Sequence, residues 1–138
     1  YCVESRPVSL NDVHQPMFVV GTEKDHVAPW RSVYKLHQLT DAEITFVLTS
    51  GGHNAGIVSE PGHAGRRWRD AVRRPGDPWL SPDEWEAAAK LHEGSWWTAW
   101  DTWIKAKGSG REVSARQLTG RDGLCGAPGA YVHQRCED

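Results

Sequence analysis

The sequence predicts an α/β fold in which a helix joins two buried, parallel strands. Two continuous apolar runs carry this prediction: "MFVV" at residues 17–20 and "ITFVL" at residues 44–48. Their β-branched and aromatic composition is typical of strands that a parallel sheet buries on both faces. The stretch from Met17 to Leu48 has about the 30 residues of a strand–helix–strand unit. Because such crossovers are right-handed, the two strands should run parallel.

The segment between these strands is predicted to be an amphipathic helix. Pro29 suits its first turn, because the fixed φ of proline is already helical. Large side chains follow at helical spacing on one face, which should pack against the sheet. This stripe comprises Trp30, Val33, Tyr34 and His37.

Two further helices are predicted in the middle of the chain. The run "RRWRDAVRR" at residues 66–74 indicates a basic helical patch, which is expected to be a solvated face paired through Asp70. The segment "SPDEWEAAAKLH" at residues 81–92 opens with Ser81 as N-cap, and Glu84 follows three residues later. That spacing is the capping-box pattern of a helix start.

A last amphipathic helix is predicted for "GSWWTAWDTWIKAK", residues 94–107. Its apolar stripe is expected to pack mainly in the core, and contact with an apolar ligand or a partner subunit is the alternative. Trp97 lies off this stripe and needs another partner. The stripe comprises Trp96, Trp100, Trp103 and Ile104.

Composition bounds the organisation of the chain. A length of 138 residues allows one domain with a real core, which we place at residues 1–107. Residues 108–138 are rich in Gly and Arg and are expected to form a loop-rich, poorly ordered tail. The 16 basic and 18 acidic residues give no reason to expect nucleic-acid binding. No apolar run approaches the roughly 18 residues of a transmembrane segment, so none is predicted.

The loops after the two strands carry the candidate catalytic residues. The first loop holds Asp25 and His26, and the second holds His53 in "TSGGHNAGI". Because the strands are parallel, both loops should leave the sheet at the same edge, where α/β folds collect function. An acid followed by a histidine is the Asp…His half of a nucleophile–Asp–His triad. Asp25 would orient the imidazole of His53, leaving its other nitrogen as general base.

The residues alone leave alternatives open. His53 is equally a candidate for an ordinary loop residue. His26 competes for the role of base, but it is favoured, with Asn54, as a supporting residue beside the pair. A metal site formed by His26, His53 and His63 is disfavoured because their spacing matches no ligand pattern, so no metal is expected.

The three cysteines bear on both the compartment and the nucleophile. Cys2, Cys125 and Cys136 are odd in number and show no C-x-x-C spacing, which favours a reducing cytoplasm over a disulfide framework. No serine or cysteine stands in the G-x-[S/C]-x-G pattern of a nucleophile elbow. The chain also begins with Tyr1 and not with Met, so we expect a fragment that is inactive alone.

Several blocks resemble the C-terminal end of poly(3-hydroxyalkanoate) synthases, bacterial polyester polymerases. They are "RPVSL", "VGTEKDHVAPWRSVYK", "TFVLTSGGHNAGIVSEPG", "GSWWTAWDTWI" and "APGAYV". The resemblance implies the C-terminal portion of an α/β-hydrolase-type catalytic domain that polymerises (R)-3-hydroxyacyl-CoA and releases CoA. In that family a cysteine carries the growing chain. Asp25 of "DHVAPW" falls on the catalytic aspartate and His53 of "GGHNAG" on the catalytic histidine.

The same resemblance implies the surroundings of the protein. The CoA thioester is the substrate, and no cofactor is expected. The expected partners are the growing polyester and the remainder of the synthase or another synthase subunit, in the cytoplasm at the surface of the polymer granule. The arginines of residues 66–74 are the candidates for contact with CoA phosphates. The alternative functions are a fragment of an α/β-hydrolase esterase or depolymerase with a serine nucleophile, and an inactive truncated product.

Overall fold

The computed structural model describes residues 2–114 and 126–135. The chain divides into two compact units, Tyr1–Lys107 and Gly108–Asp138. In the second unit the described structure includes a 3₁₀ turn at Tyr131–His133. Cys125 and Cys136 lie outside the described residues, whereas Cys2 is exposed and carries a free thiol. The catalytic role of residues 1–107 and the poor order of residues 108–138 stay predictions.

The first unit is built on a mixed sheet of four strands, which lie side by side in the order in which they follow one another in the chain. Two short strands, β1 (Cys2–Val3) and β2 (Arg6–Pro7), pair with each other before it, and a 3₁₀ turn follows at Leu10–Asp12. The strands of the main sheet are β3 (Met17–Thr22), β4 (Ile44–Thr49), β5 (Arg67–Arg73) and β6 (Lys90–Glu93). The helices are α1 (Trp30–Tyr34), α2 (Leu36–Leu39), α3 (Pro82–Ala88) and α4 (Trp97–Lys107).

The predicted strand–helix–strand unit is confirmed. Strands β3 and β4 pair in parallel, in a register that runs from Met17 opposite Ile44 to Thr22 opposite Thr49. Helices α1 and α2 form the crossover, and the predicted stripe faces inward, with Trp30, Tyr34 and His37 buried. All six residues of β4 are buried, as expected for a strand covered on both faces.

The prediction of a basic helix at residues 66–74 is wrong, because Arg67–Arg73 is strand β5, antiparallel to β4. The buried strand β4 must satisfy its backbone hydrogen bonds on both edges, and β5 supplies the partner on the second edge. Strand alternation directs Trp68 and Ala71 to opposite faces, where each packs into a different hydrophobic cluster. Asp70 does not pair the arginines either, since it bonds to His92.

The helix predicted for residues 81–92 is confirmed only in its first half. Its capping box is present: the Ser81 hydroxyl accepts from the Glu84 amide at 3.3 Å, and the Glu84 carboxylate accepts from the Ser81 amide at 2.8 Å. The helix ends at Ala88, and Lys90–Glu93 form β6 along β5. Pairing with a neighbouring strand therefore overrides the helical preference of this segment.

The helix predicted at residues 94–107 begins three residues later than expected, and its stripe is only partly in the core. Trp96 is buried and precedes the first turn, and Trp103 packs on Phe18 with 5.7 Å between ring centroids. Trp100 and Ile104 are each 44% exposed, so the prediction of core packing is wrong for these two residues. Within the described ranges, no helix is long and apolar enough to cross a membrane.

The core lies on both faces of the sheet, and β4 contributes to each. Ile44, Phe46 and Leu48 pack against Trp30 and other aromatic side chains of α1 and α3 on one face. Val47 packs on the opposite face against Trp68 and Trp96. The sheet is thereby held in a fixed position between two aromatic clusters.

We predict that Ile44→Val lowers the free energy of unfolding by about 0.5–1.5 kcal/mol, because it removes a methyl group from a fully buried site. Ile104→Val is the matched control, since its side chain is 44% exposed and the change should stay within about 0.5 kcal/mol. Urea unfolding of both variants measures the difference. Equal losses would contradict the position of the core.

Candidate active site

The loops that follow β3 and β4 are joined by backbone hydrogen bonds beyond the ends of the strands. The amide of Glu23 donates to the Thr49 carbonyl at 2.9 Å, and the amide of Lys24 donates to the Gly51 carbonyl at 2.9 Å. The parallel pairing therefore continues into the loops. This continuation places Asp25, the residue after Lys24, beside the loop that begins at Gly51.

Asp25 and His53 meet at this edge, as predicted from the parallel strands. The Asp25 Oδ2 atom lies 2.9 Å from His53 Nδ1 although 28 residues separate the two in sequence. The other carboxylate oxygen, Oδ1, accepts from the amides of Val27 at 2.9 Å and Ala28 at 2.8 Å. Such aspartate-to-backbone bonds fix a tight turn, so the carboxylate is held independently of the histidine.

The two side chains differ sharply in exposure. The Asp25 side chain is 8% exposed, whereas that of His53 is 47% exposed. The carboxylate is shielded beneath the loop surface, and the imidazole reaches solvent from it. A histidine that accepts a proton from a reacting group needs both features: a fixed carboxylate that orients the ring, and a ring that the reacting group can reach.

The pKa of the Asp25 carboxyl is lowered from 3.8 to about 2. The largest cause is the hydrogen bond from the Ala28 amide, followed among the lowering contributions by the hydrogen bond from His53; partial burial opposes both. An ionised carboxylate only accepts hydrogen bonds, so Nδ1 of His53 carries the proton. In the neutral imidazole, Nε2 is then the nitrogen with the free lone pair, which can act as a base.

Two glycines, Gly51 and Gly56, are required by the close folding of the histidine loop. Gly51 has φ +109°, and a Cβ there would lie 2.9 Å from the Cα of Gly56. A Cβ on Gly56 would lie 2.6 Å from Cγ2 of Thr22. At Gly52 the nearest atom to such a Cβ is the Lys24 carbonyl oxygen at 3.7 Å, so an ordinary side chain fits there. The loop thus closes on itself against the end of β3.

The other sequence candidates lie near the pair but make different contacts. His26 is exposed, and no hydrogen bond joins its side chain to Asp25 or His53 within the described chain. Asn54 contributes through its backbone carbonyl, which accepts from the amides of Ile57 at 3.1 Å and Val58 at 2.9 Å. Their supporting roles stay predictions. Residues 2–114 and 126–135 contain no cluster of three or more potential metal ligands.

Two further histidine–carboxylate pairs were missed from the sequence. His63 Nδ1 lies 3.0 Å from Glu60 on the same loop as His53. His92 Nε2 lies 2.7 Å from Asp70, and its ring stacks on Trp68 at 4.1 Å. The second pair spans β5 and β6, and residues 67–73 show no polar–apolar alternation that would have marked the strand in the sequence. Neither pair lies at the joined ends of β3 and β4.

The arginines of residues 66–74 are in part committed to protein contacts. Arg67 bonds to Glu23 at 3.0 Å, and Arg69 bonds to the Ala89 carbonyl at 3.3 Å. Arg73 bonds to the carbonyls of His37 and Thr40, beside the start of β4. Arg73 therefore lies at the sheet edge opposite Asp25 and His53, which argues against its contacting a substrate bound there.

Comparison with known proteins identifies relatives of the chain. No protein-family model matches it. It is 33% identical to poly(3-hydroxyalkanoate) polymerase 1 of Ectopseudomonas oleovorans over 131 residues, which are 94% of this chain and 23% of the relative. It is 35% identical over 131 residues to the polymerase subunit PhaC of Rhizobium meliloti, and 34% identical over 130 residues to PhaC of Cupriavidus necator.

This chain is a homologue of the poly(3-hydroxyalkanoate) polymerases. The resemblance found in the sequence is thereby confirmed, and each match extends over 91–94% of the chain. The chain spans about a fifth of the length of these polymerases: 23%, 21% and 21%.

We predict that the stability of this polymerase homologue depends on Asp25 in acid. The folded-state pKa is about 2 against an ordinary 3.8, so the ionised carboxylate stabilises the fold above about pH 4, and this contribution is lost as the pH falls through about 2. Asp25→Asn should therefore flatten the fall in unfolding free energy over that window. Urea unfolding at stepped pH and carboxyl ¹³C NMR check this. A carboxyl titrating near 3.8 would contradict the shielded geometry.

We predict that Gly56→Ala displaces the histidine loop while Gly52→Ala does not. The first substitution places a methyl group 2.6 Å from Thr22, and overpacking of this kind costs about 1–3 kcal/mol. The second meets its nearest atom at 3.7 Å. The resonance of the His53 Nδ1 proton should shift or broaden only in Gly56→Ala. An unchanged resonance in both variants would show that Gly56 is not needed to place His53.

Proposed function

We propose that this chain supplies the Asp and His of a Cys–His–Asp triad in a polyhydroxyalkanoate synthase, as the C-terminal part of an α/β-hydrolase-type catalytic domain. The observation that carries the proposal is the hydrogen bond of 2.9 Å between His53 Nδ1 and Asp25 Oδ2 at adjacent parallel strand ends. Homology to proteins named poly(3-hydroxyalkanoate) polymerases supports the choice of reaction.

In the proposed reaction His53 Nε2 accepts the thiol proton of a cysteine in the remainder of the synthase. The resulting thiolate attacks the thioester carbonyl of (R)-3-hydroxyacyl-CoA. Collapse of the tetrahedral intermediate breaks the bond to CoA sulfur, and the imidazolium returns its proton to the departing thiolate. Asp25 remains ionised and stabilises the imidazolium.

Chain elongation requires removal of a proton from the 3-hydroxyl that attacks the enzyme-bound thioester. Asp25 is poorly suited to this step, because both of its oxygens accept hydrogen bonds and its side chain is 8% exposed. A carboxyl with a pKa of about 2 is also a weak base. We therefore assign deprotonation of the hydroxyl to His53, the exposed member of the pair.

The proposal includes the surroundings expected from the family. The CoA thioester is itself the activated substrate, so the reaction needs no cofactor. The chain acts with the growing polyester and the remainder of the synthase, in the cytoplasm at the granule surface. A serine hydrolase would use the same Asp–His pair with water as the acceptor, so the fate of the acyl group separates polymerase from esterase or depolymerase.

A chimaera tests the proposal. This chain replaces the matching 130-residue stretch of Cupriavidus necator PhaC, to which it is 34% identical. We predict polymer formation from 3-hydroxybutyryl-CoA with release of thiol. His53→Ala should lower enzyme acylation by about 10²–10⁴-fold, as expected for loss of a general base. Asp25→Asn should slow acylation and elongation alike, because it acts through His53 in both.

His63→Ala is the matched control, since His63 also pairs with a carboxylate at 3.0 Å and has a 41% exposed side chain. This variant and His26→Ala should retain activity. Loss of acylation in His26→Ala with retention in His53→Ala would overturn the assignment. A chimaera that releases free 3-hydroxybutyrate and makes no polymer would favour the hydrolase alternative, and one that does neither would favour an inactive product.

A further inference from the structure

The backbone shortly after His53 is bound by three consecutive residues at the junction that leads into α4, the last of which is the first residue of that helix. The Trp96 indole N–H donates to the Gly56 carbonyl at 3.0 Å, and the Trp97 indole N–H donates to the Ile57 carbonyl at 2.9 Å. The Ser95 hydroxyl donates to the Ser59 carbonyl. We call Ser95, Trp96 and Trp97 the 95–97 clamp.

The clamp is itself fixed in the core. Trp96 is 6% exposed and packs with Val47 and Trp68 on one face of the sheet. Its ring also meets Trp97 edge-on, with 6.4 Å between centroids and an interplanar angle of 81°. Ser95 is 6% exposed, and its hydroxyl accepts from the Trp97 amide at 3.1 Å. A side chain with so little freedom can position what it binds.

Gly56, whose carbonyl the clamp binds, is linked to the backbone on the other side of His53 by a hydrogen bond. The Gly56 amide donates to the Gly52 carbonyl at 2.9 Å, which closes the backbone around His53. Gly56 also lies against Thr22 at the end of β3. Gly56 is therefore held from one side by the strand that leads to Asp25 and from the other by the indole of Trp96.

We propose that Ser95, Trp96 and Trp97 are positioning residues that hold the His53 loop in the geometry in which Nδ1 meets Asp25. Trp97 lies off the apolar stripe of α4, and its bond to Ile57 accounts for this placement. The consequence for catalysis rests on the proposed function. The consequence for the hydrogen bond between His53 and Asp25 does not, so the two can be tested separately.

The full 138-residue chain is suited to the first test. Trp96→Phe and Trp97→Phe each remove an indole N–H and keep an aromatic ring. Hydrogen exchange at the Gly56 amide should accelerate by about two- to tenfold, the factor that corresponds to one hydrogen bond. The His53 Nδ1 proton resonance should shift or broaden in the same variants. Trp97→Phe lies outside the deepest core and remains informative where Trp96→Phe fails to fold.

Trp103→Phe is the matched control. Trp103 packs on Phe18 as Trp96 does, at 5.7 Å against 6.2 Å. Its indole nitrogen is buried without a hydrogen-bond partner in the described ranges. Replacing this tryptophan removes similar bulk but no bond to the loop. Exchange at Gly56 and the His53 resonance should therefore stay as in the parent chain.

The outcomes separate the proposals. Unchanged Gly56 exchange and His53 resonance in both clamp variants would overturn the positioning role and leave these residues a purely structural one. In the chimaera with PhaC, the clamp variants should lower kcat with little change in KM, because they displace the base and not a substrate contact. Altered NMR readouts with unaltered activity would uphold the clamp and contradict the proposed role of His53.

Discussion

The candidate site depends on the parallel pairing of β3 and β4. The two strands of this pair end level with each other, with Thr22 opposite Thr49. The pairing continues through the amides of Glu23 and Lys24, so the two loops leave the sheet in contact. A slip of one residue would invert every side chain of β4 between its two aromatic clusters. The cost of that inversion fixes the register, and the register fixes where the carboxylate meets the imidazole.

The site also depends on the difference in exposure between the Asp25 and His53 side chains. Asp25 makes its backbone bonds to Val27 and Ala28 within its own loop, so its position does not rely on His53. The histidine approaches from a second loop whose closure requires glycine at two points. A fixed, shielded charge beneath an accessible ring favours a single tautomer, because the charged acceptor determines which nitrogen keeps the proton.

The meeting of Asp25 and His53 could be predicted because the loops that follow two neighbouring parallel strands leave the sheet at the same edge. The strand at residues 67–73 could not, because three arginines and one aspartate in seven positions fit a charged helix as well as a strand. Only the unpaired edge of β4, which is a tertiary property, decides between them. The contacts of Trp96 with the histidine loop depend on a separation of 40 residues, and no local pattern encodes them.

The loop that carries His53 has two parts with different constraints. Up to Ser59, the carbonyls of Gly56 and Ser59 are bound, and Gly51 and Gly56 are crowded. Residues 60–65 are exposed, and a Cβ on Gly62 or Gly65 would meet nothing within 4 Å. Chain length can therefore change in this second part without moving the histidine, since exposed turns tolerate insertions and deletions. The surface of this segment is thus free to vary, while the hydrogen bond between Asp25 and His53 is kept.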